Sequence, residues 1–168
     1  MFTNSKVGQN FGKEIESKLK DATHLEIASG YFSYRLLDKL TPNLKKIAKR
    51  GSCKLLFGMI FHEKATKSQR DCITKLDNEL KKINSDSGVF LTIEQYHGKI
   101  FHIVGTNYQN IYIGSSNFSN SGFKTYREFN LQITNENDKI KVKNFLNYLF
   151  HEKDNSKKIG FPLGSVDL

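Results

Sequence analysis

The chain has 168 residues, 38% of them hydrophobic and 26% charged, with only two prolines. That length supports one domain with a real core, burying roughly 70% of the unfolded surface, and the composition argues against disorder. A formal net charge of +9 favours polyanionic partners, nucleic acid first and an anionic membrane second, over acidic ones; lysine-rich solvated helices are the plain alternative. No apolar run approaches the roughly 20 residues of a bilayer span. The N-terminus lacks a signal-peptide core, which points to a cytoplasmic location without a membrane. Cys53 and Cys72 have no metal-like spacing and read as free thiols.

Val7, Phe11, Ile15 and Leu19 recur every four residues and predict an amphipathic helix. Residues 24–33, HLEIASGYFS, read as a strand entering a glycine-containing loop, with Ser33 capping the next helix. Leu36, Leu37 and Leu40 share a stripe. Thr41-Pro42 is expected to open a further turn, and Gly51 to end the segment. CKLLFGMIF, residues 53–61, is a continuous apolar run suited to a buried parallel strand. Ile73, Leu76, Leu80 and Ile83 predict a helix over 65–84. VFLTIEQY, residues 89–96, predicts a strand.

KIFHIVG, NIYIGSSN and REFNLQIT then form three short strands linked by polar turns. A last helix follows, capped by Asn137, with Val142, Phe145, Leu146 and Leu149 inward. The order α-β-α-β-α-β-β-β-β-α implies an α/β fold: a mixed β-sheet with a parallel and an antiparallel portion, flanked by helices on both faces. Residues 1–152 are expected to form the domain, and 153–168 a tail or the start of a linker.

Chemistry concentrates after residue 96. His97 and Lys99 are two apart, so strand alternation puts them on one face. An imidazole is a nucleophile or an acid/base near neutral pH, and an ammonium is a point charge for phosphate oxygens. Alone, H-x-K is common in basic proteins. Gly114, Ser115, Ser116 and Asn117 end the next strand. They read either as a polar turn or as small residues and hydrogen-bond donors that admit an oxyanion. Glu128 begins EFNLQIT. Phe129, Leu131 and Ile133 share one strand face, which puts Glu128, Asn130 and Gln132 on the other.

Together, H-x-K, G-S-x-N and the later carboxylate resemble the phospholipase D superfamily. In that family H-x-K is followed by four residues and then an Asp; here that position holds Val104. The departure argues against the lipid-cleaving members. Asn117 lies twenty residues after His97, and Glu128 eleven after Asn117. This spacing resembles the metal-independent, phospholipase-D-type type II restriction endonucleases, as do IASGYFS and KLLFGM, over roughly residues 8–150.

The resemblance implies a phospholipase D-like nuclease domain that cleaves DNA through a covalent phosphohistidine. It implies a homodimer in which two copies of the motif build one active site. His97 is the nucleophile, and the partner copy's His97 is the general acid/base. Lys99 and Asn117 hold phosphate oxygens, Ser115 adds a hydrogen bond, and Glu128 accepts one from His97 to fix its tautomer. No metal or cofactor is implied. Gly114, Ser116, Lys124, Arg127 and Tyr31 are candidate substrate-binding residues. Arg127 equally suits an ion pair, Phe118 reads as core, and His62 is a candidate second site residue. His24, His102 and His151 read as structural. DNA is the implied substrate, with sequence recognition assigned to a separate domain or subunit. Competing readings are a nonspecific nuclease of the same fold, a phospholipid hydrolase or transferase, and a catalytically silent nucleic-acid binding module.

Overall fold

A computed structural model describes residues 1–3, 9–60, 65–92, 95–151 and 160–162. Val7, His62 and most of 153–168 lie outside the described residues. Three strands, β3 (Ala22–Ser29), β4 (Ser52–Phe57) and β5 (Gly88–Thr92), run parallel, joined by helices α2 (Tyr34–Arg50) and α3 (Lys67–Ile83). Next to β3 lies an antiparallel meander of β6 (Lys99–Gly105), β7 (Gln109–Gly114) and β8 (Phe129–Ile133). Two-residue strands β1 (Phe2–Thr3) and β2 (Gln9–Asn10) extend the sheet beyond β8, and β9 (Gly160–Pro162) pairs with β5. The order is β2-β1-β8-β7-β6-β3-β4-β5-β9. Helix α1 (Phe11–Lys18) precedes β3, and α4 (Glu136–His151) follows β8.

The expected mixed sheet with helices on both faces is what the chain builds. On one face α1, α2 and α3 bury Phe11, Ile15, Leu36, Leu40, Ile73 and Leu80 against alternate strand residues such as Ile27, Leu55 and Phe101. Each such side chain contributes about 1.5–3 kcal/mol. Ring contacts between Phe11 and Phe101 (5.2 Å) and between Phe2 and Tyr112 (5.4 Å) are edge-on, the arrangement the ring quadrupole favours. On the other face α4 places Leu146, Leu149 and Phe150 on Ala28, Leu56, Ile100 and Ile111.

Several boundaries differ from expectation for local reasons. Helix α1 starts at Phe11 because the Asn10 side chain accepts a hydrogen bond from Lys13 N–H at 2.9 Å, capping it there. Helix α2 runs through Pro42 without a new start. Leu40 and Leu44 on either side are buried, and the Thr41 hydroxyl donates to the Leu37 carbonyl at 2.9 Å. Burial on both sides thus outweighs a proline penalty of about 3 kcal/mol. Helix α3 begins at a complete capping box of Thr66 and Gln69. Asn135 rather than Asn137 caps α4, accepting from the Asn137 and Asp138 N–H groups. Residues 160–162 of the expected tail lie in the sheet as β9.

Candidate active site

The site forms where β3 ends and β6 begins. Ser29 pairs with Lys99 in register, and Gly30 N–H donates to the Gly98 carbonyl at 3.1 Å. The segment carrying Tyr96, His97 and Gly98 therefore crosses directly over the ends of β3 and β4. Two glycines make room for it. A Cβ on Gly30 would lie 3.1 Å from His97 Cδ2, and one on Gly58 would overlap the Tyr96 carbonyl. These are the glycines of IASGYFS and KLLFGM, so their smallness serves the seating of the histidine segment.

His97 precedes β6 rather than lying within it, and it is exposed. Strand alternation is thus not what joins it to Lys99. The Lys99 side chain folds back instead: Nζ lies 2.5 Å from the His97 carbonyl oxygen and 3.0 and 3.2 Å from Nδ1 and Nε2. Lys99 is only 8% exposed. Burial pulls its ammonium below the usual lysine range, and the Glu128 carboxylate opposes that shift. His102 points to the opposite sheet face, as expected. There it pairs with Glu26 at 2.9 Å and meets Gln109 at 2.8 Å.

Asn117 joins the same cluster through Tyr31. The Tyr31 backbone N–H donates to Asn117 Oδ1 at 3.2 Å. A backbone N–H can only donate, so this contact fixes the amide and leaves Nδ2 to donate outward. The Tyr31 ring meets the His97 ring edge-on at 5.4 Å. Ser29, missing from the sequence-based site, holds this arrangement together. Its fully buried hydroxyl donates to the Tyr31 carbonyl at 2.7 Å and accepts from Phe118 N–H at 3.0 Å. The only sequence signal for it is its place before Gly30 at a strand end. Phe118 is fully buried in the core, as expected.

Glu128 takes a different partner from the one expected. Its carboxylate accepts a hydrogen bond from the Ser115 hydroxyl rather than from His97. The Ser115 hydroxyl also accepts from Phe129 N–H at 3.0 Å. Glu128 therefore acts on Lys99 through its charge and on Ser115 by contact. The structure shows what Gly114 and Ser116 pack against. A Cβ on Gly114 would overlap Phe129 and Asn130 of the neighbouring strand. Ser116 is fully buried, its hydroxyl accepting from Asn130 Nδ2 at 2.8 Å.

That bond accounts for the burial of a polar residue in β8. Asn130 is buried, whereas Phe129 and Leu131 are 49% and 42% exposed. The Phe129–Leu131 end of the apolar face of β8 is thus exposed, whereas Ile133 on the same face packs against the α4 cluster. Lys124 and Arg127 are exposed, and among the described residues neither is ion-paired. Among the described residues no three His, Cys, Asp or Glu side chains gather as a metal would require, and no helix is long and apolar enough to cross a membrane.

The sequence model of a family described as the NgoFVII restriction endonuclease N-terminal PLD domain matches residues 9–159. The chain belongs to this family. Solved structures agree with its PLD fold. NucT from Helicobacter pylori superposes with a TM-score of 0.59 at 18% identity, covering 89% of each chain. Nuc from Salmonella typhimurium, a phospholipase D family member, gives 0.54 at 15% identity, over 79% of this chain and 81% of that one. Polyphosphate kinase from Porphyromonas gingivalis gives 0.56 at 8% identity, but 83% of this chain covers only 21% of that one. No curated protein sequence matches the chain. The NgoFVII-type PLD domain is thus the frame in which His97, Lys99 and Asn117 are gathered at one end of the sheet.

Proposed function

We propose that this domain hydrolyses DNA phosphodiesters without a metal, as a homodimer, through a phosphohistidine on His97. The observation that carries the reading is the convergence of three groups suited to phosphate: the exposed His97 imidazole, the Lys99 ammonium 3.0 Å from it, and the Asn117 amide turned by Tyr31 N–H. Membership of a restriction endonuclease domain family supports DNA as the substrate. The net charge of +9 agrees with a polyanion.

In the first step a His97 nitrogen attacks phosphorus as the bond to the leaving oxygen breaks. The His97 imidazolium of a second copy gives its proton to that oxygen. In the second step the same imidazole takes a proton from water, whose oxygen attacks phosphorus and releases His97. Lys99 Nζ and Asn117 Nδ2 hold the non-bridging oxygens as charge builds on them. Glu128 keeps Lys99 charged and orients Ser115.

The reading assigns the second imidazole to another copy; among the described residues this end of the sheet holds one, and His62 lies outside them. His102 lies on the opposite face and His24 at the far end of β3. The exposed apolar strip beside the site supports such pairing. Phe129 and Leu131 lie on one side, and the Phe145 ring meets, at a tilt, that of Tyr96, the residue before His97, with centroids 6.4 Å apart. Exposed apolar patches of this kind mark contact surfaces. We assign sequence reading to a separate domain or subunit, in keeping with the family's description as an N-terminal domain. The test is plasmid digestion in excess EDTA. Wild type cuts and His97→Ala does not; activity that appears only on adding Mg²⁺ contradicts the reading.

A further inference from the structure

A groove of about 300 Å³ opens between α1 and the π-helical turn at Ser121–Thr125, lined by Asn10, Gly12, Lys13, Glu16, Phe123 and Lys124. Two glycine contacts tie it to the candidate site. A Cβ on Gly122 would lie 2.8 Å from Asn117 N, and one on Gly12 would lie 2.6 Å from the Phe123 carbonyl oxygen. The π-helical turn thus packs on the backbone of Asn117, and α1 packs on the turn. The turn closes by a Tyr126 N–H to Ser121 carbonyl bond of 2.9 Å, which fixes the short span that carries Lys124.

Strand register sets the direction. Asn10 pairs with Thr3, and Thr3 with Phe129, the residue after Glu128. The start of α1 therefore lies at the same end of the sheet as Ser115, Glu128 and Lys99. Between β6 and β2 there are four strand spacings, about 19 Å in all. The groove sits within that reach of the scissile position.

Among the described residues its positive charge has no carboxylate partner. Glu16, the one carboxylate in the lining, pairs with Lys39 at 2.7 Å. Among the described residues neither the Lys13 nor the Lys124 ammonium meets a carboxylate. Two cations in an open groove, without a carboxylate partner among the described residues, suit a polymer that carries a phosphate every about 3.4 Å of axis per strand.

We propose that the Lys13–Lys124 groove holds the DNA backbone a few nucleotides from the scissile phosphate. This rests on the nuclease reading and extends it. Lys13 is a DNA-binding residue with no role in the chemistry, and it fixes the direction in which the strand leaves the site.

The experiment is the salt dependence of duplex binding in EDTA, with His97→Ala to prevent cleavage. It compares the parent protein, K13Q/K124Q, and K46Q/K49Q as a control of equal charge loss at the far end of α2. K13Q/K124Q is expected to flatten the plot of log affinity against log salt by about 1.8 for each chain that seats DNA, the value for two lost phosphate contacts. The control is expected to change it much less. Equal slopes for the two double variants overturn the proposal. The outcome separates from the nuclease reading. Cleavage by wild type with equal slopes sinks only the groove; a flattened slope with a wild type that never cuts sinks only the nuclease.

Discussion

On one face of the sheet three helices bury Leu36, Leu40, Ile73 and Leu80, whereas on the other α4, the one helix there among the described residues, leaves Phe129, Leu131 and Phe145 at 49%, 42% and 41% exposed. Both faces are made of alternating strand residues, so the difference lies in what covers them. The closed face holds the site in shape: Ser29 and Lys99 point to that side, among Ile27 and Phe101. The open face supplies no catalytic group, yet its apolar rim reaches Tyr96, one residue from His97. One face fixes the geometry of a half-site, and the other offers the surface on which a second half is brought to it.

Breaking the open face has the largest expected effect. Leu131→Glu puts a carboxylate in the centre of the rim without touching the core. Sedimentation should show a shift from dimer to monomer. Cleavage should fall by about 10²–10⁴-fold, the range for loss of a general acid, while circular dichroism stays that of wild type. Full activity from a monomeric variant would separate the face from the site.

Breaking the closed face acts through position. Ser29→Ala leaves the Phe118 N–H buried without its partner, a cost of about 1–3 kcal/mol in denaturant unfolding. It also releases the Tyr31 carbonyl and so loosens the Asn117 amide. Turnover should fall more than substrate affinity, and Ser29→Thr should restore part of it. An equal loss in both constants would point to general destabilisation.

The smallest effect sharpens the electrostatics. Burial lowers the Lys99 pKa and Glu128 raises it. The alkaline limb of the pH–rate profile should therefore lie below that of an ordinary lysine. Glu128→Gln removes the influence that raises the pKa, so the limb should move to still lower pH. A limb that stays put or moves upward would show that Glu128 does not act through Lys99.

The closed face was legible because its helices repeat apolar residues at Leu36, Leu37, Leu40 and at Ile73, Leu76, Leu80, a pattern with one physical solution. His97, Lys99 and Asn117 were legible through their spacing. Their geometry was not, since the lysine that opens β6 folds back to a histidine before the strand rather than pairing with it along one. Alternation along β8 separates Phe129 and Leu131 from Asn130 as the sequence implies, but it carries no sign of which side is buried. The amide–hydroxyl pair of Asn130 and Ser116 satisfies the polar side inside, and no periodicity announces such a pair. Ser29 escaped because a single serine at a strand end has no pattern. The two-residue edge strands β1 and β2 are too short to have one.

The central claim, that two chains share one catalytic centre, is tested most directly by mixing. Wild type is dissociated and re-associated with an equal amount of His97→Ala, and cleavage in EDTA is measured per wild-type chain. If each centre needs a histidine from both chains, mixed dimers are silent and activity falls to about half, declining further as the variant is added in excess. Activity per wild-type chain that is unchanged at every ratio would contradict the account.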